Sequence, residues 1–255
     1  MNFTVVTKKK MMLTGCVILL GIAIAICIAY GASRVVGVAQ TNKDIPIYSV
    51  DTLDKKVALT FNCAWDDKDI DTLLGILKKY NAQCTFFVVG QWCDAYPESV
   101  KKLVQSGHEV MSHSDTHADM AKISEEKRSQ EIDNSCSKIE RVAGVRPTLF
   151  RVPSGSYNSE AVRAVRNKGL ECIQWDVDSI DWKKPGADKI VERVTGKVRN
   201  GSIVLFHSGA PDTPTALPQI LQKLSGEGYT FVKVSDLIYP QPYTLDHEGR
   251  QHKAA

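Results

Sequence analysis

From residue 57 onward the chain repeats one pattern: a short run of β-branched and aromatic residues, then an amphipathic helical stretch, then another short apolar run. Such runs stand at 57–61, 85–89, 108–111, 149–151, 171–175, 202–206 and 229–232, and helical patterns separate nearly all of them. This alternation constrains the fold more than any other feature, because strands that run parallel need a crossover long enough to bring the chain back to the same edge. The clearest helix is predicted over 125–143, with Ser124 as N-cap, Glu125 and Glu126 in the first turn and Gly144 as the stop. A second is predicted over 160–168, ending at Gly169. The expectation is an α/β fold with about seven parallel strands, doubly wound or closed into a barrel.

The chemically capable residues follow the ends of those strands. Asp66 and Asp67 come after the first, His113 and His117 after the third, Arg151 closes the fourth, Asp178 and Asp181 follow the fifth, and His207 follows the sixth. All would lie on one rim, where strand-end loops of (β/α) barrels assemble active sites; polar residues placed by chance would occupy both rims. Within His113-Ser114-Asp115-Thr116-His117, two imidazoles stand four positions apart in a chain with 6 histidines, a spacing that can turn both rings toward one divalent ion.

The first segment has a different character. Lys8, Lys9 and Lys10 precede an uncharged stretch over 11–32, which at 1.5 Å per residue spans roughly 33 Å, enough to cross a bilayer. Lysines on its N-terminal side favour an orientation with everything after about Ser33 outside the cytoplasmic membrane, so a single-pass cell-membrane protein is expected. A cleaved signal peptide is the alternative, with a weak small-x-small site at Ala29-Tyr30-Gly31. The organisation expected is a cytoplasmic terminus over 1–10, the anchor over 11–32, a polar stalk over 33–55, the α/β domain over 56–240 and a loose polar tail over 241–255. Of 7 cysteines, Cys16 and Cys27 lie in the apolar segment; the rest are scattered without a CxxC pair, which argues against a disulfide framework. A formal charge of +3 with no basic-aromatic strip excludes nucleic acid as an expected partner.

From about Lys56 to Tyr239 the motifs, in this order, resemble the polysaccharide deacetylases of carbohydrate esterase family four, which share the NodB homology domain. Thr60-Phe61-Asn62 with Asp66-Asp67 is similar to the first motif, His113-Ser114-Asp115-Thr116-His117 to the second and Arg151-Val152-Pro153-Ser154-Gly155 to the third. Asp178-Ser179-Ile180-Asp181-Trp182 resembles the fourth and Leu205-Phe206-His207 the fifth. The resemblance implies an irregular (β/α) barrel and one divalent metal, zinc or alternatively cobalt or nickel. The implied substrate is an N-acetylated glycan such as peptidoglycan or a chitin-like polymer. It assigns His113, His117 and an aspartate to the metal, which would polarise the acetamide carbonyl and acidify a water. His207 would be the general acid, Asp181 the group that orients it, Arg151 the group that holds the base and the Ser154 N–H an oxyanion donor. Trp182 and Leu205 would wall the groove for the acetyl methyl.

The first motif departs from the family pattern. Two consecutive aspartates, a base and a metal ligand, are usual where this chain has Asn62 and Cys63. An amide cannot deprotonate water, though Asn62 could still hydrogen-bond Arg151; Cys63 could ligate zinc as thiolate or point into the barrel wall. A variant subgroup with sporulation-associated members carries a similar Trp-containing insertion followed by an acid. By that likeness Asp67 becomes the metal ligand; Asp66, or Asp115 inside the histidine motif, is then the candidate base. Two functions follow: a metal-dependent hydrolase removing N-acetyl groups from cell-wall glycan, or a catalytically impaired envelope protein that binds glycan or metal. A metalloprotease is excluded because Ser114 stands where His-Glu-x-x-His requires glutamate.

Overall fold

The computed structural model of the protein describes residues 44–254. Its centre is β2 (Lys56–Cys63), a strand buried along nearly its whole length, as expected for a strand covered on both faces. On one side β2 pairs with β3 (Thr85–Val88), then β4 (Glu109–Ser112), β5 (Leu149–Phe150) and β6 (Glu171–Cys172); on the other with β8 (Ile203–His207) and then β7 (Val177–Asp178). Every one of these pairings is parallel, and β9 (Thr230–Phe231) adds to the foot of β2.

The curl of this sheet follows from its connectivity. β6 and β7 are its two edges, yet the chain passes from Cys172 to Val177 in five steps, a reach of at most roughly 18 Å. Seven strands laid flat would hold those edges about 29 Å apart. The sheet therefore bends into an irregular barrel. The single strand expected over 171–175 is split by this crossing: Gln174 N donates to Ile47 O (2.7 Å) and the Asp176 carboxylate receives Ile203 N (2.9 Å).

Two expectations about the flanks are corrected. Residues 44–55, expected as the end of a stalk, belong to the domain. Ile47 N donates to Cys172 O (2.8 Å), and Val50 in β1 (Ser49–Val50) donates to Gly201 O (2.9 Å), so this segment lies across the gap between the sheet edges. The tail expected to be loose forms β10 (Tyr243–Leu245) and β11 (Arg250–Lys253), and β11 pairs with β1. Its polar sequence hides this because ion pairs and amide bonds hold it: Arg250 meets Asp51 at 2.9 Å, and the buried Gln251 exchanges hydrogen bonds with the Tyr239 backbone at 2.7 and 2.9 Å. The anchor expected over 11–32 lies outside the described residues, among which no helix is long and apolar enough to cross a membrane.

Alternation along β2 separates two environments. Val57, Leu59, Phe61 and Cys63 face the helices, where Phe61 stacks with Phe86 (4.9 Å) and Phe206 (5.4 Å). The intervening Ala58, Thr60 and Asn62 face the barrel interior, apolar at its foot around Ala58, Phe87, Met111 and Ile203 and polar at its rim. The helices are α1 (Ile70–Lys79), α2 (Gly90–Ala95), α3 (Pro97–Gln105), α4 (Glu125–Ala143), α5 (Ser159–Asn167), α6 (Ala187–Thr195), α7 (Thr213–Gly226) and α8 (Val234–Leu237). In α4 the Ser124 hydroxyl accepts Lys127 N (3.3 Å) and Gly144 takes φ 74°, as the sequence predicts. The α5 helix begins one residue earlier than expected, capped by Asn158, whose Oδ1 accepts Ala161 N (2.8 Å).

Candidate active site

At the barrel axis the Arg151 guanidinium is fully buried. It donates to Thr60 Oγ1 (2.8 Å), Asn62 Oδ1 (3.1 Å) and Gln174 O (3.1 Å), and lies over the Phe87 ring at 4.0 Å. All three acceptors are neutral, and burial pulls its pKa down to about 9. Asn62 thus occupies the inward position at the end of β2, while Cys63, one residue on, points into the helix-side core, where burial pushes its thiol up to about 12. The described cysteines, Cys63, Cys84, Cys93, Cys136 and Cys172, are all buried free thiols.

Next to Asn62 stand the two imidazoles, with ring centroids 5.0 Å apart. His113 Nδ1 lies 2.8 Å from Arg151 O, which fixes the proton on that nitrogen, and its buried Nε2 has no hydrogen-bond partner in the protein. Burial first, then the neighbouring His117, holds His113 far below the ordinary imidazole range; burial and then His207 lower His117. Two neutral rings, one with an orphaned ring nitrogen whose partner nitrogen is anchored to a carbonyl, are the donor set a divalent cation takes. Among the described residues no group of three histidine, cysteine, aspartate or glutamate side chains forms a cluster that could hold a metal.

The histidine loop is strained and clamped. Ser114 and His117 have φ of 65° and 60°, in the left-handed region that costs a side-chain-bearing residue free energy. Glu131, on the buried face of α4, receives Asp115 N (3.0 Å), Thr116 N (2.8 Å) and Thr116 Oγ1 (2.8 Å). Sequence reasoning missed Glu131. The signal was an acid on the same helical stripe as Ile132, Cys136 and Ile139.

On the opposite side, His207 Nδ1 meets the fully buried Asp181 at 2.8 Å, leaving Nε2 free for chemistry. Asp181 also accepts His207 N (2.8 Å), Trp182 N (2.9 Å) and Thr213 Oγ1 (2.7 Å), the last from a residue with no signature in the sequence. Both sides open into one cavity of about 410 Å³, lined by Asn62, Ala64, Trp65, His113, His117, Ser154, Trp175, Asp178, Trp182, Leu205 and His207. That volume is in the range of small-ligand sites. Ser154 sits there with φ 55°, in a tight turn after β5. Trp65, Trp175 and Asp178 are cavity residues to which the sequence reading gave no role. The Asp178 carboxylate receives Ile180 N (2.8 Å).

The acids expected to replace the missing aspartates are not brought to the histidines. Asp66 pairs with Lys68 at 2.9 Å on the surface, and that hydrogen bond lowers its pKa. Asp67 accepts Ser99 Oγ (2.7 Å) in the first turn of α3, where a carboxylate also suits the helix N-terminus. Asp115 is buried against Lys138 at 2.7 Å, outside the cavity. The physical reason is that Ala64 and Trp65 carry the chain over the rim before these acids are reached. Asp69, also unforeseen, ties two rim loops together: its Oδ2 receives Gly209 N (2.8 Å), and burial raises its pKa to about 6.

A barrel of this connectivity with such a rim defines a class, and comparison with known proteins gives it a family. Residues 49–173 match the polysaccharide deacetylase family model. The uncharacterized protein YlxY of Bacillus subtilis is 33% identical over 195 residues, covering 76% of this chain but 60% of YlxY. A peptidoglycan-N-acetylglucosamine deacetylase of Bacillus cereus is 33% identical over 196 residues, 75% of this chain and 92% of that protein. Among solved structures, a CE4 family pseudoenzyme from Bacillus anthracis is 34% identical with a TM-score of 0.74, covering 76% of this chain and 69% of that one. A mutant of that pseudoenzyme with restored enzymatic activity aligns equally well, at 34% identity and TM-score 0.74 over 76% of this chain and 71% of that one. The chain belongs to the polysaccharide deacetylase family.

Proposed function

We propose that the chain removes N-acetyl groups from a cell-wall or related N-acetylhexosamine polysaccharide by hydrolysis of the acetamide. One observation carries this reading: the Asp181–His207 pair faces the His113–His117 pair across a single cavity. His113 and His117 would hold a divalent cation, zinc or alternatively cobalt or nickel, which when bound supplies Lewis-acid activation of the acetamide and of water. Leu205 and Trp182 receive the acetyl methyl, and the Ser154 N–H donates to the carbonyl oxygen as it gains charge. Water adds to the acetamide carbon, and as the C–N bond breaks the leaving nitrogen takes the proton from His207 Nε2; the two protons of the attacking water pass to solvent, one of them restoring the imidazolium that the Asp181 carboxylate stabilises, and acetate and the free amine leave. Arg151 fixes Asn62 and, through its carbonyl, the tautomer of His113. The uncharged run over 11–32 with its preceding lysines supports a domain tethered to, and facing outward from, the cell membrane.

A second reading rests on Asn62. With an amide hydrogen-bonded to Arg151 where a base would stand, the protein would bind glycan and turn over poorly, a reading that the similarity to a CE4 family pseudoenzyme supports. The test is acetate release by the full chain from chitin oligomers and from peptidoglycan, with zinc, cobalt and nickel added singly. Release that disappears in His207→Ala and His117→Ala supports the hydrolase. Glycan binding without release on either substrate under any metal supports the second reading.

A further inference from the structure

Trp65 and Trp182 are two of the four large apolar side chains exposed among the described residues, at 51% and 48%, and both border the active-site cavity. Large apolar side chains left in water at a concave site mark a binding surface more often than chance exposure. Trp65 is also held. Its indole stacks on the His207 imidazole at 5.4 Å and 22°, and it packs beside Gly209, where a Cβ would lie 3.7 Å from Trp65 Cβ and Cε3. Gly209 is tied by its N–H to Asp69, and Asp66, the residue after Trp65, accepts Trp92 Nε1 through its carbonyl (3.4 Å). One face of the ring is therefore spent on His207 while half the side chain stays in solvent beside the reacting position.

We propose that Trp65 is a sugar-stacking subsite: its exposed surface receives the apolar C–H face of the pyranose next to the one whose acetamide enters the cavity. The subsite rests on the proposed function for what lies beside it, and it makes the ligand an oligosaccharide rather than a single sugar. The stacking partner is fixed in advance, so binding costs little side-chain entropy.

The test is calorimetric binding of N-acetylglucosamine and of its β-1,4-linked tetramer to the full-length protein, which requires no turnover. Trp65→Ala is expected to weaken tetramer binding roughly three- to tenfold, the range of an aromatic stacking contact, and monosaccharide binding by clearly less. Trp65→Phe should stay within about twofold of wild type. Trp65→Leu, which keeps apolar bulk without a π-face, should lose as much as alanine, which separates stacking from packing should the alanine variant be less stable. Equal losses on monomer and tetramer, unchanged tetramer binding in Trp65→Ala, or no tetramer binding by the wild type would each overturn the subsite. Trp65-dependent tetramer binding without acetate release would instead leave the subsite standing and overturn the hydrolase.

Discussion

The two sides of the cavity are finished to different degrees. On the His207 side, Asp181 is fully buried, and each of its oxygens receives two hydrogen bonds, from His207 Nδ1 and Trp182 N and from His207 N and Thr213 Oγ1. On the Asn62 side, Arg151 is as deeply buried, but its guanidinium meets only a hydroxyl, an amide and a carbonyl, and its Nε has no partner. A buried cation without a counter-ion carries a desolvation cost that neutral acceptors offset incompletely. The rim that carries His207 has its buried charge fully paired, and the rim that carries Asn62 holds a buried cation among neutral acceptors.

The largest effect should come from the complete side. Asp181→Asn keeps the shape but places an amide against His207 Nδ1, which disturbs the tautomer that leaves Nε2 toward the cavity. Acetate release should fall about a thousandfold or more. A loss below tenfold would mean that the Asp181–His207 pair is structural. The converse substitution acts on the incomplete side: Asn62→Asp gives Arg151 a carboxylate and the cavity a base. Turnover should rise about a hundredfold, the usual contribution of general-base catalysis, and the thermal midpoint should rise with it. If release does not increase, a base at this position is not what limits the chemistry.

The same contrast explains what could be read from the sequence. The parallel sheet, the capped helix over Glu125–Ala143 and the clustering of His113, His117, Arg151, Asp181 and His207 were legible because period and strand-end position report them directly. The positions of Asp66 and Asp67 were not. Likeness to a motif with a Trp-containing insertion placed an acid after it at the histidines, but Ala64 and Trp65 carry the chain over the rim and the acids meet Lys68 and Ser99. Segments held by backbone pairing and polar bonds, such as β1 and β10–β11, leave no apolar period to detect. Glu131 and Thr213 act through hydrogen bonds between elements distant in sequence, for which local pattern carries no signal.

Two intermediate effects sharpen the Asn62 side. Glu131→Ala removes the acceptor of all three hydrogen bonds, so the histidine loop loosens from its left-handed backbone. Zinc affinity measured by competition with a chromogenic chelator should drop roughly ten- to a hundredfold, the usual penalty for losing a support of metal-binding histidines, while far-ultraviolet circular dichroism stays unchanged. Unchanged affinity would show that the strand end alone sets the loop. The metal-free protein should also lose stability on acidification. The folded pKa of His113 lies below the ordinary value of 6.5, so below that pH the unfolded chain binds more protons. Its contribution is fully present above pH 6.5 and declines as pH falls, by up to about 1.4 kcal/mol per pH unit. Urea midpoints from pH 7.5 to 5 should show this slope in the wild type and a shallower one in His113→Asn; parallel slopes would assign the acid sensitivity elsewhere.

The smallest effect is expected at the acids nearest Asn62 in sequence. Asp66 is bound to Lys68 at the surface, and Asp115 to Lys138. Neither lines the cavity. For either to act as base it would have to leave its lysine and swing over the rim, against the hydrogen bonds that hold Asp115 N and Thr116 N on Glu131 and Trp92 on the Asp66 carbonyl. Asp66→Asn and Asp115→Asn should therefore each change turnover by less than about twofold, since the exposed Asp66–Lys68 pair contributes little and the pair of the buried Asp115 with Lys138 lies outside the cavity. A tenfold loss in one of them, with a shifted pH profile, would show that a loop acid reaches the substrate during turnover. The Asn62 side would then be incomplete only until glycan binds.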